Sequence, residues 1–260
     1  MEPYSLQEAI DRFANLIVKS QHIVIFSGAG ISTESGIPDF RSPGGIWERY
    51  RPVQYQDFLA SEESRREYWR MHREMYVQVR DARPNDAHLA IARLDRMGKL
   101  DCVITQNVDF LHQRAGVPEA KVIEIHGTVK YVVCLECGQR YERDAIEELL
   151  NRGVAAPRCQ ACSGILKPAT ISFGQSMPER EMAEAMRHAR ASDLFVVIGS
   201  SLVVYPAADM PLYAKDAGAR IAIVNMTPTP LDDLADLLLY GKAGEIMVEV
   251  AARVKDKMVS

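Results

Sequence analysis

Five short runs constrain this chain most: HIVIFS (22–27), LDCVIT (100–105), KVIEI (121–125), LFVVIG (194–199) and RIAIVN (220–225). Each is apolar nearly throughout instead of alternating, which is the pattern of strands covered on both faces. Helical patterns over Asn85–Met97, Pro178–Ala191, Ala207–Ala217 and Leu231–Leu239 lie between or after them. Strands alternating with helices predict a parallel sheet with right-handed crossovers. Ligands on such sheets bind beyond the carboxyl ends of the strands, so the polar residues that follow each run become the candidates for function. The N-terminal stretch reads as an amphipathic helix, with Leu6, Ile10, Phe13 and Ile17 on one face.

Two stretches interrupt the pattern and read as insertions. Residues 43–83 begin with Pro-Gly-Gly and continue in a helical rhythm, and residues 130–168 hold four of the five cysteines. The expected division is a Rossmann-like, doubly wound domain over 1–42, 84–129 and 169–260. A helical module (43–83) and a zinc-binding module (130–168) stand outside it.

The 260 residues carry 31 basic and 35 acidic side chains, a net charge of −4, which argues against a dominant nucleic-acid role. No stretch approaches the roughly 20 apolar residues that span a bilayer. The acidic N-terminus does not resemble a secretory signal, so the expected location is cytoplasmic, where thiols stay reduced.

The first strand runs straight into SGAGISTESGIPDFRS (27–42). Gly28, Ala29 and Gly30 are the start of a dinucleotide-binding turn, in which glycines let backbone approach a pyrophosphate. The third glycine of the usual fingerprint is replaced by Thr33, and a tight strand–helix turn without a ligand is the alternative. Ile37, Asp39, Phe40 and Arg41 follow on a Pro-Gly-marked loop that could close over one end of a dinucleotide. Otherwise it is a surface loop, with Phe40 packed down and Arg41 solvated.

Four further strand ends carry polar groups. TQNVDFLH (105–112) places Gln106, Asn107 and Asp109 at one edge, and EIHGT (124–128) places His126 at another. GSSLVVYPA (199–207) offers Gly199, Ser200 and Ser201, and IVNMTPTPLD (223–232) offers Asn225. A lone histidine is usually structural, but one at a strand end beside other polar strand ends is a candidate general base. Of the other histidines, His88 and His112 could brace the core. His22, His72 and His188 are read as solvated or packed.

Cys134-x2-Cys137 and Cys159-x2-Cys162 are separated by 21 residues, close to the zinc-ribbon spacing of roughly 15–20. Two such knuckles, with Gly138 and Gly164 for the tight turns, suit a structural zinc ion held by four thiolates. Cys102, inside a strand, is read as a buried apolar thiol.

Together, GAGISTESGIPDFR, TQNVDFLHQRAG, EIHGT, the paired CxxC knuckles and GSSLVVYPA resemble the sirtuin family of NAD-dependent protein deacylases, in family order over roughly residues 25–232. The resemblance implies that the helical module (43–83) and the zinc-binding module (130–168) unite into one smaller domain. It implies too that NAD and an acyl-lysine protein or peptide enter the cleft between the two domains. The products would be nicotinamide, free lysine and O-acyl-ADP-ribose. It implies His126 as general base and Asn107 as the residue that orients the ribose or its water. Phe40 would shield the reacting carbon, and Ile37, Asp39 and Asp109 would form the nicotinamide pocket. Arg41 would stabilise the cofactor. Gly28, Ala29, Gly30, Gln106, Gly199, Ser200, Ser201 and Asn225 would complete the NAD site.

LKPATISFGQSMP (166–178) resembles the segment that pairs with the peptide as an added strand. Ile171, Phe173 and Gly174 would line the lysine channel, with Val203 opposite. The family usually has Glu where this chain has Gln175. Family members that favour acidic acyl chains carry Tyr-x-x-Arg in the helical insertion. Here Tyr68 is followed by Met71 and Tyr76 by Val79, so an acetyl or other uncharged acyl group is expected. A longer-chain or acidic acyl group and ADP-ribosyl transfer to protein remain as alternatives. A dehydrogenase and a zinc-ribbon binding module explain fewer of the motifs.

Overall fold

The structure, a computed structural model, describes residues 5–40 and 44–259. Along the chain run α1 (Leu6–Lys19), β1 (Ile23–Ser27), α2 (Ile46–Arg49), α3 (Tyr55–Ala60), α4 (Glu62–Asp81), α5 (Asp86–Arg96), β2 (Cys102–Thr105), α6 (Leu111–Arg114) and β3 (Val122–Glu124). Then come β4 (Gly127–Cys134), β5 (Arg140–Glu142), α7 (Arg143–Asn151), β6 (Leu166–Thr170), α8 (Glu179–Ala191), β7 (Leu194–Ile198), α9 (Met210–Asp216), β8 (Arg220–Asn225), β9 (Leu237–Tyr240) and α10 (Ala243–Val259).

All five apolar runs form strands of one sheet, in the order β3-β2-β1-β7-β8-β9 with every neighbour parallel. β1 and β7 are buried at every position, as strands covered on both faces must be. One face packs on α1, α5 and α10 through Ile10, Phe13, Ile91, Met247 and Val250. The other packs on α8 and α9 through Phe26, Phe195, Ala185 and Met210. α1 begins with a capping box, in which Ser5 and Glu8 satisfy each other's backbone. Ile10, Phe13 and Ile17 face the core as expected, whereas Leu6 is half exposed.

The helix expected over Leu231–Leu239 does not form. The chain makes a 3-10 turn at Asp232–Leu234 and then β9, the sixth strand. Leu-rich segments satisfy either period. Here the free edge of β8 supplies backbone partners from Ala222 to Asn225, which an extended Leu237–Tyr240 can use and a helix cannot. The helix expected at Ala207–Ala217 is split into a 3-10 turn (Ala207–Asp209) and α9.

A second sheet, β5-β4-β6, is antiparallel and begins where the first ends. Only Ile125 and His126 separate β3 of the large sheet from β4 of the small one. Trp69 of α4 packs with Val132, Ile146, Leu150, Leu166, Cys134 and Cys159, so the helical and cysteine-bearing segments share one apolar cluster.

Candidate active site

The topology reverses between β2 and β7, the two neighbours of β1, and the crevice beyond their carboxyl ends is where ligands bind on such sheets. Gly28 N–H donates to the carbonyl of Ile198 at 3.1 Å and Gly30 N–H to that of Gly199 at 2.8 Å. A Cβ on Gly28 would lie 2.9 Å from Ser200 Cα, and one on Gly30 would lie 2.8 Å from Gly199 O. The two turns therefore interlock backbone to backbone, which only glycine permits. Gly199 itself has φ +62° and sits against Ile31 N. The helix after the glycine turn is a 3-10 helix, Ala29–Ser35.

The polar strand ends converge on this turn. Gln106 Nε2 donates to Ser200 Oγ at 2.8 Å, linking the ends of β2 and β7. Asn107 donates both amide hydrogens, to Gly28 O and Ser32 Oγ at 3.1 Å each. Ser32 Oγ then donates to Asp109 at 2.7 Å, and Leu111 N–H donates to the same carboxylate at 3.0 Å. Burial pushes the Asp109 carboxyl up, partly offset by these donors. Ser32 was not among the residues expected from the sequence. Serine is common in such turns, and nothing in GISTE marks one hydroxyl over its neighbours.

His126 lies at the seam of the two sheets, partly exposed, with Nδ1 2.9 Å from the carbonyl oxygen of Gln106. A carbonyl only accepts, so Nδ1 carries the hydrogen and Nε2 presents a lone pair. Burial pushes the imidazole pKa below its ordinary value, and the Gln106 carbonyl opposes that in part. His126 is therefore neutral at pH 7, in the tautomer a base needs. Its own carbonyl accepts from Ile171 N–H at 2.9 Å.

The remaining expected residues differ in burial. Ile37 packs near Tyr76, Val79 and Val129. Asp39 and Phe40 are partly buried; Arg41 falls outside the described residues. Ser201, Phe173, Gly174 and Val203 are exposed, and Ile171 is partly buried. Asn225, at the end of β8, donates to Thr227 O. His88 and His112 are buried with ring centroids 4.9 Å apart, and His112 Nε2 lies 2.8 Å from Ser27 Oγ beneath the glycine turn, so both brace the core.

Cys134, Cys137, Cys159 and Cys162 bring their sulfurs within 4.8 Å of one another, and none is in a disulfide. Four thiolates about 2.3 Å from a tetrahedral zinc would lie about 3.8 Å apart. The Cys134–Cys162 and Cys137–Cys159 separations are 3.5 and 3.7 Å, so the donor set fits a closed structural zinc site. Each knuckle turns on backbone bonds, Gly138 N–H to Cys134 O and Ser163 N–H to Cys159 O. In the second knuckle Ser163, not Gly164, takes the left-handed conformation (φ 61°). Gly164 is needed for space instead: a Cβ there would lie 2.9 Å from Cys134 Sγ. Cys102 is buried in β2 with its thiol pushed up to about 12 by desolvation, as an inert core residue should be.

The family profile described as "Sir2 family" matches residues 28–206. Among curated proteins, the chain is 50% identical to NAD-dependent protein deacetylase 1 of Bradyrhizobium diazoefficiens, over 93% of this chain and 95% of that one. It is 43% identical to NAD-dependent protein deacylase 2 of Archaeoglobus fulgidus, over 96% and 98%. Among solved structures, a Sir2 variant with a deacetylated p53 peptide and 3′-O-acetyl ADP-ribose superposes with a TM-score of 0.86. It is 38% identical and covers 95% of this chain and 98% of that one. The glycine turn, the strand-end histidine and the four-cysteine cluster all lie within the matched span, and the chain belongs to the Sir2 family.

Proposed function

We infer that the chain is an NAD-dependent protein-lysine deacylase, acting as a deacetylase, with NAD as co-substrate and one structural zinc ion. The observation that carries this is the fixed tautomer of His126 beside the glycine turn. The site offers a neutral Nε2 base on the rim of a dinucleotide crevice, and the carbonyl of the same residue is bonded to Ile171 N–H of the peptide segment.

When bound, NAD supplies the ADP-ribosyl acceptor for the acyl group and releases nicotinamide. Gly28, Ala29 and Gly30 bring backbone against its phosphates, while Gly199, Ser200, Ser201 and Asn225 border its nucleoside end. Gln106 holds Ser200 in place from the side. Asp109, fixed by Ser32 and the Leu111 amide, is the polar group of the nicotinamide pocket, with Ile37 and Asp39 as its walls. Asn107 has spent its hydrogens on protein, so its carbonyl oxygen is what it offers a ribose or a water. Phe40 excludes water from the reacting carbon, and Arg41 supports the cofactor's charge. His126 Nε2 accepts the proton that must leave a ribose hydroxyl.

Ile171, Phe173, Gly174 and Val203 line the groove for an extended acyl-lysine peptide. Tyr68 is buried and followed by buried Met71, with His72 stacked on its ring at 4.1 Å, so no Tyr-x-x-Arg pair faces the groove. This supports an uncharged acyl group. The domain division expected from the sequence, with 43–83 and 130–168 as one small unit, is supported by their shared apolar cluster. No helix among the described residues is long and apolar enough to cross a membrane. A cytoplasmic location follows from the need for four reduced thiolates.

The reading is tested with isotopically labelled NAD and a panel of acetyl, succinyl and myristoyl lysine peptides. NAD-dependent loss of the acetyl group is expected. Label transferred to protein without deacylation would replace this reading with ADP-ribosyl transfer.

A further inference from the structure

The peptide segment after β6 is held from behind by the helical insertion. The Tyr68 hydroxyl lies 3.3 Å from Thr170 Oγ1 and 3.1 Å from Ser172 Oγ. A phenol has one donor and an acceptor oxygen, so it can serve both hydroxyls at once. Tyr68 is 2% exposed, wedged edge-on against Phe58 at 4.8 Å and stacked on His72. Its hydroxyl position is therefore set by α3 and α4, not by solvent. Tyr55 N–H adds a second tie, to Phe173 O at 2.9 Å, and Lys167 Nζ donates to Thr170 O.

In extended chain, alternate residues face opposite ways. Thr170 and Ser172 both reach Tyr68, which turns Ile171 toward the opposite side, and Phe173 follows in a turn closed by Gln175 N–H on Ser172 O at 3.0 Å. Phe173 is 43% exposed there. Between the two anchored hydroxyls, Ile171 N–H binds the carbonyl of His126 at 2.9 Å. The residues that would meet the acyl-lysine and the base are thus joined by one backbone bond, and Tyr68 grips the chain on both sides of it.

We propose that Tyr68 is a positioning residue for the peptide substrate: its hydroxyl fixes which faces of residues 170–173 meet an extended acyl-lysine peptide and ties that segment to His126. The proposal rests on the deacylase reading for the identity of the peptide, and on the hydrogen-bond geometry for the role of Tyr68. Loss of the hydroxyl lets the segment rotate while the ring still packs.

The test uses zinc-loaded full-length protein, a fluorescein-labelled acetyl-lysine peptide followed by anisotropy, and ADP-ribose followed by calorimetry. Tyr68→Phe and Ser172→Ala should each weaken peptide binding roughly three- to tenfold, the range of one hydrogen bond. ADP-ribose affinity should stay within about twofold. The double variant should be no weaker than Tyr68→Phe alone, since that change already removes the contact that Ser172→Ala removes. Unchanged peptide binding, additive losses, or equal weakening of ADP-ribose would overturn the proposal. A melting temperature for each variant separates a folding defect from a positioning one. Wild-type protein that binds no acetyl-lysine peptide would overturn both readings. Wild type that binds and deacetylates normally, with Tyr68→Phe indistinguishable from it, overturns the role of Tyr68 alone.

Discussion

The Nδ1 of His126 donates to the Gln106 carbonyl at 2.9 Å, and this bond decides which nitrogen of the ring can act. Gln106 in turn is anchored by its side chain to Ser200 across the mouth of the sheet. The proposed base is therefore oriented by the same strand ends that border the proposed cofactor crevice.

Replacing His126 with Ala should lower kcat/KM by about 10²–10⁴, the range of general-base catalysis. Burial depresses the imidazole pKa, so the neutral form persists below pH 6.5. In wild type, kcat/KM should fall on the acid side with an inflection below 6.5. An inflection above 6.5 in a pH–rate profile would assign the limb to another group.

Stripping zinc should unfold the cluster around Trp69, because Cys134 and Cys159 are part of its wall. Structural zinc sites contribute about 10 kcal/mol or more to small modules. A strong chelator should shift tryptophan emission to the red and abolish activity together, and zinc should restore both. Metal-free protein with full activity would contradict the assignment.

Gly199→Ala should be among the most damaging single changes near the site. It combines a positive φ with a Cβ 2.3 Å from Ile31 N, so the interlocked turns must part. The cost should be about 2 kcal/mol or more, with weakened NAD binding. Gly138→Ala is the control: its φ is +72° but nothing lies within 4 Å of the added Cβ. It should cost only about 1–2 kcal/mol. Urea denaturation of both variants makes the comparison.

Glu124, two residues before His126, is partly buried with its Oε1 enclosed and unpartnered, and desolvation pushes its carboxyl up to about 7. Thr128 and Gln113 beside it offset part of that burial. Its folded pKa is raised, so the native state binds the extra proton, and stability falls as pH rises from about 4.5 to about 7. Glu124→Gln should therefore gain stability relative to wild type at pH 8, by about 1–3 kcal/mol, and little at pH 4. Equal effects at both pH values, measured by urea unfolding, would contradict the buried-acid account.

The frame of the molecule was readable because burial on both faces leaves an unbroken apolar run, and five such runs became five parallel strands. Leu231–Leu239 was misread because leucine suits both periods, and only the open edge of β8 decides between them. The strand-end residues were readable as a set, since the carboxyl edge of a parallel sheet collects them. Ser32 and Tyr68 were not, because their importance lies in partners 75 to 104 residues away. The paired CxxC spacing declared the metal clamp. Which residue would carry the positive φ of the second knuckle, Ser163 or Gly164, was settled only by the packing of Gly164 against Cys134.

The central claim is that acyl removal is coupled to NAD cleavage at this site. Mass spectrometry of a single-turnover reaction with NAD and an acetyl-lysine peptide tests it most directly. The account predicts one nicotinamide and one O-acetyl-ADP-ribose per lysine released, with no reaction in the absence of NAD. Free acetate formed without NAD consumption would contradict it.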